Sequence, residues 1–218
     1  LPSKLVVGSH DGGQTYFKVK IDGADDNNGK LKVFADRVNN SVFYGFGESG
    51  QFYVSTDAGE SFNIAAAGLP RIDFGSIDTA DKTEIRVEGG QTGVIYIATG
   101  DTGLYKLIYN LENGGVTLMR LSADGDSVFR IGLGLGRPRG DYLKEKKAVY
   151  LCGVIDGQYG FYRSFDDCNT YERINTDRQM FGDINSIDGD KRVFGRFFIA
   201  TGSRGVIYGE ACVEGENI

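Results

Sequence analysis

Three segments repeat one arrangement of hydroxyl, carboxylate and small residues: Ser9-His10-Asp11-Gly12-Gly13-Gln14-Thr15-Tyr16, Ser55-Thr56-Asp57-Ala58-Gly59-Glu60-Ser61-Phe62 and Ser164-Phe165-Asp166-Asp167-Cys168-Asn169-Thr170-Tyr171. A Ser and an Asp at a hairpin start can accept backbone N–H groups across the turn, and glycine supplies positive φ. The aromatic that ends each segment is placed to plug the core beside the next strand. This chemistry is local, so Ser9, Asp11, Ser55, Asp57, Ser164 and Asp166 read as fold-making residues rather than as catalytic ones.

Other reactive types are sparse. His10 is the only histidine and sits at a variable position of the first segment, where a solvated turn residue is expected and no second His can share a metal. Cys152, Cys168 and Cys212 show no C-x-x-C spacing, so neither a disulfide framework nor a zinc site is indicated. Three acidic turns, residues 22–29, 124–126 and 183–190, invite a calcium reading. Setting Gly29 at the sixth position of a calcium loop puts Ala24 first and Ala35 twelfth, and Gly189 fails similarly with Ile184 first. Gly132-Leu133-Gly134-Leu135-Gly136-Arg137 has a Gly-x-Gly rhythm, yet no helix pattern follows to hold a phosphate, so these are loop or strand glycines. No metal or cofactor is expected.

The elements that carry these turns are short strands. Runs rich in Val, Ile, Phe and Tyr, separated by Gly, Asn and Asp, predict strands at residues 32–35, 42–45, 52–55, 84–87, 94–99, 128–133, 148–154, 160–164, 196–200 and 206–208. The chain's 33 glycines in 218 residues are about twice the usual share. Its 40% hydrophobic and 25% charged residues are those of a globular chain with a real core. A net charge of −6 without a dense basic run argues against a nucleic-acid partner. No apolar stretch approaches the roughly 20 residues needed to cross a bilayer, and no membrane partner is expected. Residues 1–8 lack the build of a signal peptide; if the parent protein is exported, its signal lies upstream.

The serines that open the three segments lie 46 and 109 residues apart, the second spacing about twice the first, which places a silent copy between them. Gly103-Leu104-Tyr105-Lys106-Leu107 aligns with Gly160-Phe161-Tyr162-Arg163-Ser164, so Leu107 takes the serine slot and residues 108–115 form an eroded turn. A unit of about 50 residues with four strands has the size of a propeller blade. The expected fold is all-β, a β-propeller of four-stranded antiparallel blades, with repeats near residues 1–21, 31–65, 83–121, 127–174 and 183–210 and the Ser-x-Asp turns joining third strand to fourth. That layout counts seventeen strands and about four blades, beginning in mid-blade. It predicts the C-terminal part of a larger ring, the alternative being a small four-bladed ring closed by pairing its two ends.

The Ser-x-Asp pattern resembles the Asp-box of sialidases, sortilin-type receptors and several glycan-cleaving propellers. The C-terminal run is sharper: Gly160-Phe161-Tyr162-Arg163-Ser164-Phe165-Asp166-Asp167, Glu172-Arg173-Ile174-Asn175, Gly189-Asp190-Lys191-Arg192-Val193-Phe194-Gly195-Arg196-Phe197-Phe198-Ile199-Ala200-Thr201 and Arg204-Gly205-Val206-Ile207-Tyr208-Gly209. It resembles the closing blade of glycoside hydrolase family 74, the xyloglucanases. Ala35-Asp36-Arg37-Val38-Asn39, Phe43-Tyr44-Gly45-Phe46 and Phe52-Tyr53-Val54-Ser55-Thr56-Asp57 are similar to the same family in order and spacing, and the likeness is weakest over residues 76–139. The resemblance implies two seven-bladed propellers flanking an open cleft, in a secreted enzyme that cleaves the β-1,4-glucan backbone of xyloglucan with inversion. Inversion needs a carboxylic acid and a water-activating carboxylate about 6.5–9.5 Å apart. The resemblance puts these aspartates one in each propeller, both upstream of the matched region, so no catalytic residue is expected here. The implied partners are xyloglucan or a related β-glucan and the N-terminal propeller of the same protein.

Gly100-Asp101-Thr102-Gly103-Leu104-Tyr105 is a near-copy of the family's acid-bearing turn in a different repeat, which makes Asp101 a candidate acid set against a polar turn residue. The family stacks sugars on cleft aromatics; here there is no tryptophan, and Tyr105 and Phe181 stand where relatives carry aromatic turns, with core packing as the other reading. Arg204, in a turn resembling the family's Thr-Asn-Gly-Arg-Gly, either bonds loop carbonyls or lines the cleft. Two rivals to a xyloglucanase segment are a non-catalytic glycan- or protein-binding propeller and a sialidase-like enzyme. The sialidase reading requires an arginine cluster that no spacing here provides.

Overall fold

The computed structural model describes residues 6–23, 31–72, 83–137 and 147–210. Part of the first acidic turn, residues 24–29, and Cys212 lie outside the described residues. The described residues contain no helix and form eighteen strands. β1 (Val7–Gly8) pairs with β2 (Phe17–Lys18), and β3 (Lys20–Ile21) follows at once. Four strands, β4 (Leu31–Ala35), β5 (Phe43–Gly47), β6 (Phe52–Ser55) and β7 (Ser61–Ala66), then form an antiparallel meander whose β7 edge accepts β3 in parallel.

Two more meanders follow, β8 (Thr83–Val87) to β11 (Val116–Arg120) through β9 (Val94–Thr99) and β10 (Leu104–Tyr109), and β12 (Ser127–Gly134) to β15 (Glu172–Arg173) through β13 (Ala148–Ile155) and β14 (Gln158–Ser164). A three-stranded sheet of β16 (Ile184–Gly189), β17 (Phe197–Thr201) and β18 (Val206–Gly209) ends the series. The chain divides into two compact units, one carrying β1–β7 and the other β12–β18, with residues of the β8–β11 sheet distributed between both.

The predicted strands match these elements to within two residues at each end, and residues 52–55 and 94–99 are reproduced without change. They were readable because the second strand of each meander is covered on both faces. All six residues of β9 are buried, as are all of β13 except Val154, so the sequence there runs continuously apolar instead of alternating. The extra strand relative to the predicted seventeen is β3, whose two residues gain strand identity from Ser61 and Phe62 across the ladder.

Two expectations are corrected. Tyr16 was expected in the core; it is 68% exposed, and its neighbour Phe17 packs instead with Val19, Tyr53 and Phe62. Gly8 is the cause: it pairs with Phe17, and a side chain there would meet the Phe17 ring at 2.3 Å, so the ring lies in the space a Cβ would take. In the eroded turn, β10 does not end at the serine slot. Leu107 is fully buried, which keeps the strand going to Tyr109, and the Asn110 side chain closes the turn by accepting Glu112 N–H at 2.8 Å.

In the second unit the first strands of two neighbouring sheets touch backbone to backbone. A Cβ on Gly132 would meet Asp188 Cα at 2.3 Å, and one on Gly189 would meet Gly134 Cα at 2.5 Å. Asp188 Oδ1 accepts the Leu133 N–H at 3.0 Å and Asp190 O accepts that of Leu135 at 2.7 Å. The Gly-x-Gly rhythm is thus a strand-packing signature. Gly134 and Gly189 also make room for the fully buried Tyr150 ring, which stacks on Phe197 at 5.5 Å. Gly132→Ala is expected to lower stability by about 1–3 kcal/mol or more, because backbone and not a flexible side chain opposes the methyl group; urea unfolding of the two proteins measures this.

Candidate functional site

The three Ser-x-Asp turns fold alike, each joining two adjacent strands of a sheet, with β6 to β7 and β14 to β15 being third-to-fourth connections. In the second, Ser55 Oγ donates to Asp57 Oδ1 at 2.7 Å and accepts Gly59 N–H at 2.9 Å, while Asp57 accepts Ser61 N–H at 3.0 Å and Ser61 Oγ–H at 2.5 Å. Ser9 and Asp11 make the same bonds to Gly13 and Thr15, and Ser164 and Asp166 to Cys168 and Thr170. Two consecutive residues in each turn have positive φ: Gly12 and Gly13, Ala58 and Gly59, Asp167 and Cys168. The third turn therefore holds two non-glycine residues in the left-handed region.

Both oxygens of each carboxylate are engaged by the turn it closes. Burial works against the charged form of Asp57, but bonds from Ser61 and Ser55 outweigh it and hold its carboxyl at about 2. Asp11 lies below the usual carboxylate range chiefly through Thr15, and Asp166 is lowered by Thr170 and Ser164 against the opposing effect of burial. A fourth carboxylate of this kind is Asp36, within Ala35-Asp36-Arg37-Val38-Asn39. It accepts the N–H groups of Val38, Asn39 and Gly93 and, at 2.6 Å, the hydroxyl of Tyr44.

Asp101 is exposed in the turn between β9 and β10, where Gly103 N–H bonds Gly100 O at 3.1 Å. Tyr105 is half-buried on β10. Arg204 is exposed in the turn between β17 and β18; its backbone N–H donates to Thr201 Oγ1 at 2.8 Å, and its guanidinium bonds no loop carbonyl among the described residues. Phe181 is half-buried against Phe161, with ring centroids 6.0 Å apart. Among the described residues no group of three or more His, Cys, Asp or Glu is arranged to hold a metal. His10 is exposed, lies 3.3 Å from Glu60 Oε1 and stacks on Phe17 at 4.6 Å.

Phe181, but neither Tyr105 nor Arg204, lines a cavity of about 980 Å³ in the second unit. Its walls come from β14, β15, β17, β18 and the turns beside them, and include Phe165, Phe194, Phe197 and Tyr208 with Arg137, Arg163 and Arg173. Arg163 grips Glu172 through two bonds of 2.8 and 2.9 Å, and Arg173 pairs with Asp177 at 2.8 Å while donating to Tyr159 O. Arg137 and Arg163 both stand over the Phe165 ring, 5.7 and 5.2 Å from its centroid. Such a mixture of ring faces and planar polar groups suits a carbohydrate, whose C–H faces pack on rings while its hydroxyls need partners of both kinds. Sequence reasoning found Phe181 and passed over the rest, although Arg163, Phe165, Phe194 and Tyr208 all belong to the C-terminal motifs.

No protein-family model matches the chain. The β-propeller domain of Cps50 (Swd1) from Myceliophteria thermophila matches with a TM-score of 0.59 over 95% of this chain and 63% of that one, at 7% identity, a likeness of fold alone. The GH74 xyloglucanase of Xanthomonas campestris matches with a TM-score of 0.75 and 32% identity over 94% of this chain and 26% of that one. These antiparallel meanders are those of a β-propeller. Xyloglucanase Xgh74A of Acetivibrio thermocellus is 37% identical over 180 residues, which are 82% of this chain and 19% of that protein. Over most of its length the chain is similar to xyloglucanases of glycoside hydrolase family 74, and it spans about a fifth of the length of the curated relatives it matches.

The turn carboxylates carry a pH signature. Asp57 titrates at about 2 in the folded chain, against an ordinary value of about 3.9. Its contribution is therefore complete above pH 4 and is lost as pH falls toward 2. Asp57→Asn, which cannot accept the Ser61 hydroxyl at its amide nitrogen, is expected to cost about 1 kcal/mol at pH 7 and to flatten the acid limb of stability; urea unfolding at pH 7 and pH 3 checks both.

Proposed function

We propose that the chain is a propeller segment of a secreted xyloglucan-degrading glycoside hydrolase and builds one wall of its substrate cleft. The observation that carries this reading is the kinship to xyloglucanases across nearly the whole chain, joined to an aromatic cavity that contains Phe181. In this reading Phe181 and Tyr105 offer ring faces to the glucan and Arg204 reaches it from the β17–β18 turn. The water-activating carboxylate and the acid of the inverting pair lie outside this segment, with an N-terminal propeller as the opposite wall. Asp101 acts as a polar turn residue. A polymeric substrate, too large to enter a cell, supports an extracellular setting.

A second reading, a glycan-recognition propeller without catalysis, is favoured by one feature: the Ser-x-Asp carboxylates are consumed by their own turns. The two readings differ in the parent protein and agree on the isolated chain. The 218-residue chain is expected to release no reducing ends from xyloglucan, yet to be retarded in a xyloglucan affinity gel, with Phe181→Ala weakening the retardation about tenfold. Measured turnover by the isolated chain overturns the assignment of catalysis elsewhere, and unretarded migration overturns the sugar-contact role of this segment.

A further inference from the structure

Of the guanidinium groups that line the cavity, one stands without a carboxylate partner among the described residues. Three guanidinium groups, of Arg137, Arg163 and Arg173, face two carboxylates, of Glu172 and Glu210. Glu172 is taken by Arg163, and Glu210 by Arg196 at 2.5 Å. Arg173 has Asp177 and the Tyr159 carbonyl. Arg137 is exposed and has no carboxylate partner among the described residues; its guanidinium stands over the rings of Phe165 and Phe194, at 5.7 and 5.9 Å. A ring face attracts the cation and fixes its place, yet offers no lone pair to its N–H donors. The cavity therefore presents a guanidinium held over two rings, with N–H donors that no described residue accepts.

We infer that this cavity binds a carbohydrate bearing a carboxylate, a uronate unit, with the anion on Arg137 and the sugar faces on the neighbouring rings. A carboxylate matches the guanidinium fork with two parallel bonds. Tyr208 is 66% exposed and Phe181 is half-buried, so both rings can receive C–H faces. The carboxylate of Glu172, with a side chain 61% exposed, and the amide of Gln179 supply a hydroxyl acceptor and donor at the rim. An aromatic or fatty acid would leave these polar groups desolvated and unpaired, which disfavours it. The determinant is a charge, so the proposal is separate from contact with a neutral glucan.

Isothermal titration of the 218-residue chain at low salt, with a galacturonic acid trisaccharide and a neutral xyloglucan oligosaccharide, tests it. The uronate is expected to bind at least about tenfold tighter than the neutral sugar, and Arg137→Gln to abolish that preference by weakening the uronate far more than the neutral sugar. Rising salt is expected to weaken the uronate alone. Because Arg137 is exposed, its replacement should leave the thermal transition in place, and Arg137→Lys, which keeps the charge without the fork, should fall between. No uronate binding, or equal uronate binding by Arg137→Gln, overturns the inference. Binding of the neutral sugar alone overturns it and leaves the glucan reading standing; binding of the uronate alone supports it and removes the glucan contact at Phe181.

Discussion

The second unit depends on the approach of two backbones. β12 and β16 lie so close at Gly132, Gly134 and Gly189 that no Cβ fits between them, and Asp188 bridges the remaining gap by accepting the Leu133 N–H. Around this contact the inner strands bind one another: Glu84 accepts the Ile131 N–H at 2.7 Å, Arg86 pairs with Glu84 and reaches Ser186, and Arg130 donates to Asn185 O. Sheets pinned at their first strands and carrying a right-handed twist diverge toward their last ones. The cavity lies at that end, between β14–β15 and β17–β18. Tight packing at one end and open space at the other are two results of the same geometry.

The carboxylate-closed turns serve the opposite end of the hairpins. A four-stranded meander has its weakest pairing at the outermost strand, and β15 is only two residues long. Such a strand gains little from its ladder and depends on a turn that fixes the chain's direction before pairing begins. Ser164 and Asp166 do this with five hydrogen bonds, even with Asp167 and Cys168 held at positive φ. Where β11 is five residues long and Leu107 anchors β10, a turn closed by Asn110 is enough. Strand length alone does not decide which turn is kept, since β7, with six residues, retains its carboxylate-closed turn.

This explains what could be read from the residues alone. Strands buried on both faces, such as residues 94–99, announce themselves by composition, and the turns by their short-range spacing. β3 could not be read, because Lys20 and Ile21 become a strand only through the parallel partner forty residues later. Tyr16 and Phe17 are adjacent aromatics, and only the glycine across the ladder decides which one turns inward. The cavity was invisible for a related reason. Arg137, Phe165, Phe181 and Tyr208 have no common period in the sequence and meet only once two sheets are packed.

The distribution of protons bears on where chemistry can occur in such a segment. A general acid must hold its proton near neutral pH, which requires a carboxyl pushed above its ordinary range. Asp11, Asp36, Asp57 and Asp166 are moved the other way by the donors that surround them. Glu84 is raised, by burial, but its oxygens are held by the Arg86 guanidinium and the Ile131 N–H inside the strand contact. Moving it toward a glycosidic oxygen would break the contact that sets the two sheets. The carboxyls of Asp11, Asp36, Asp57, Asp166 and Glu84 are therefore committed to architecture, while the cavity wall presents arginines, rings and the carboxylates of Glu172 and Glu210 to open space.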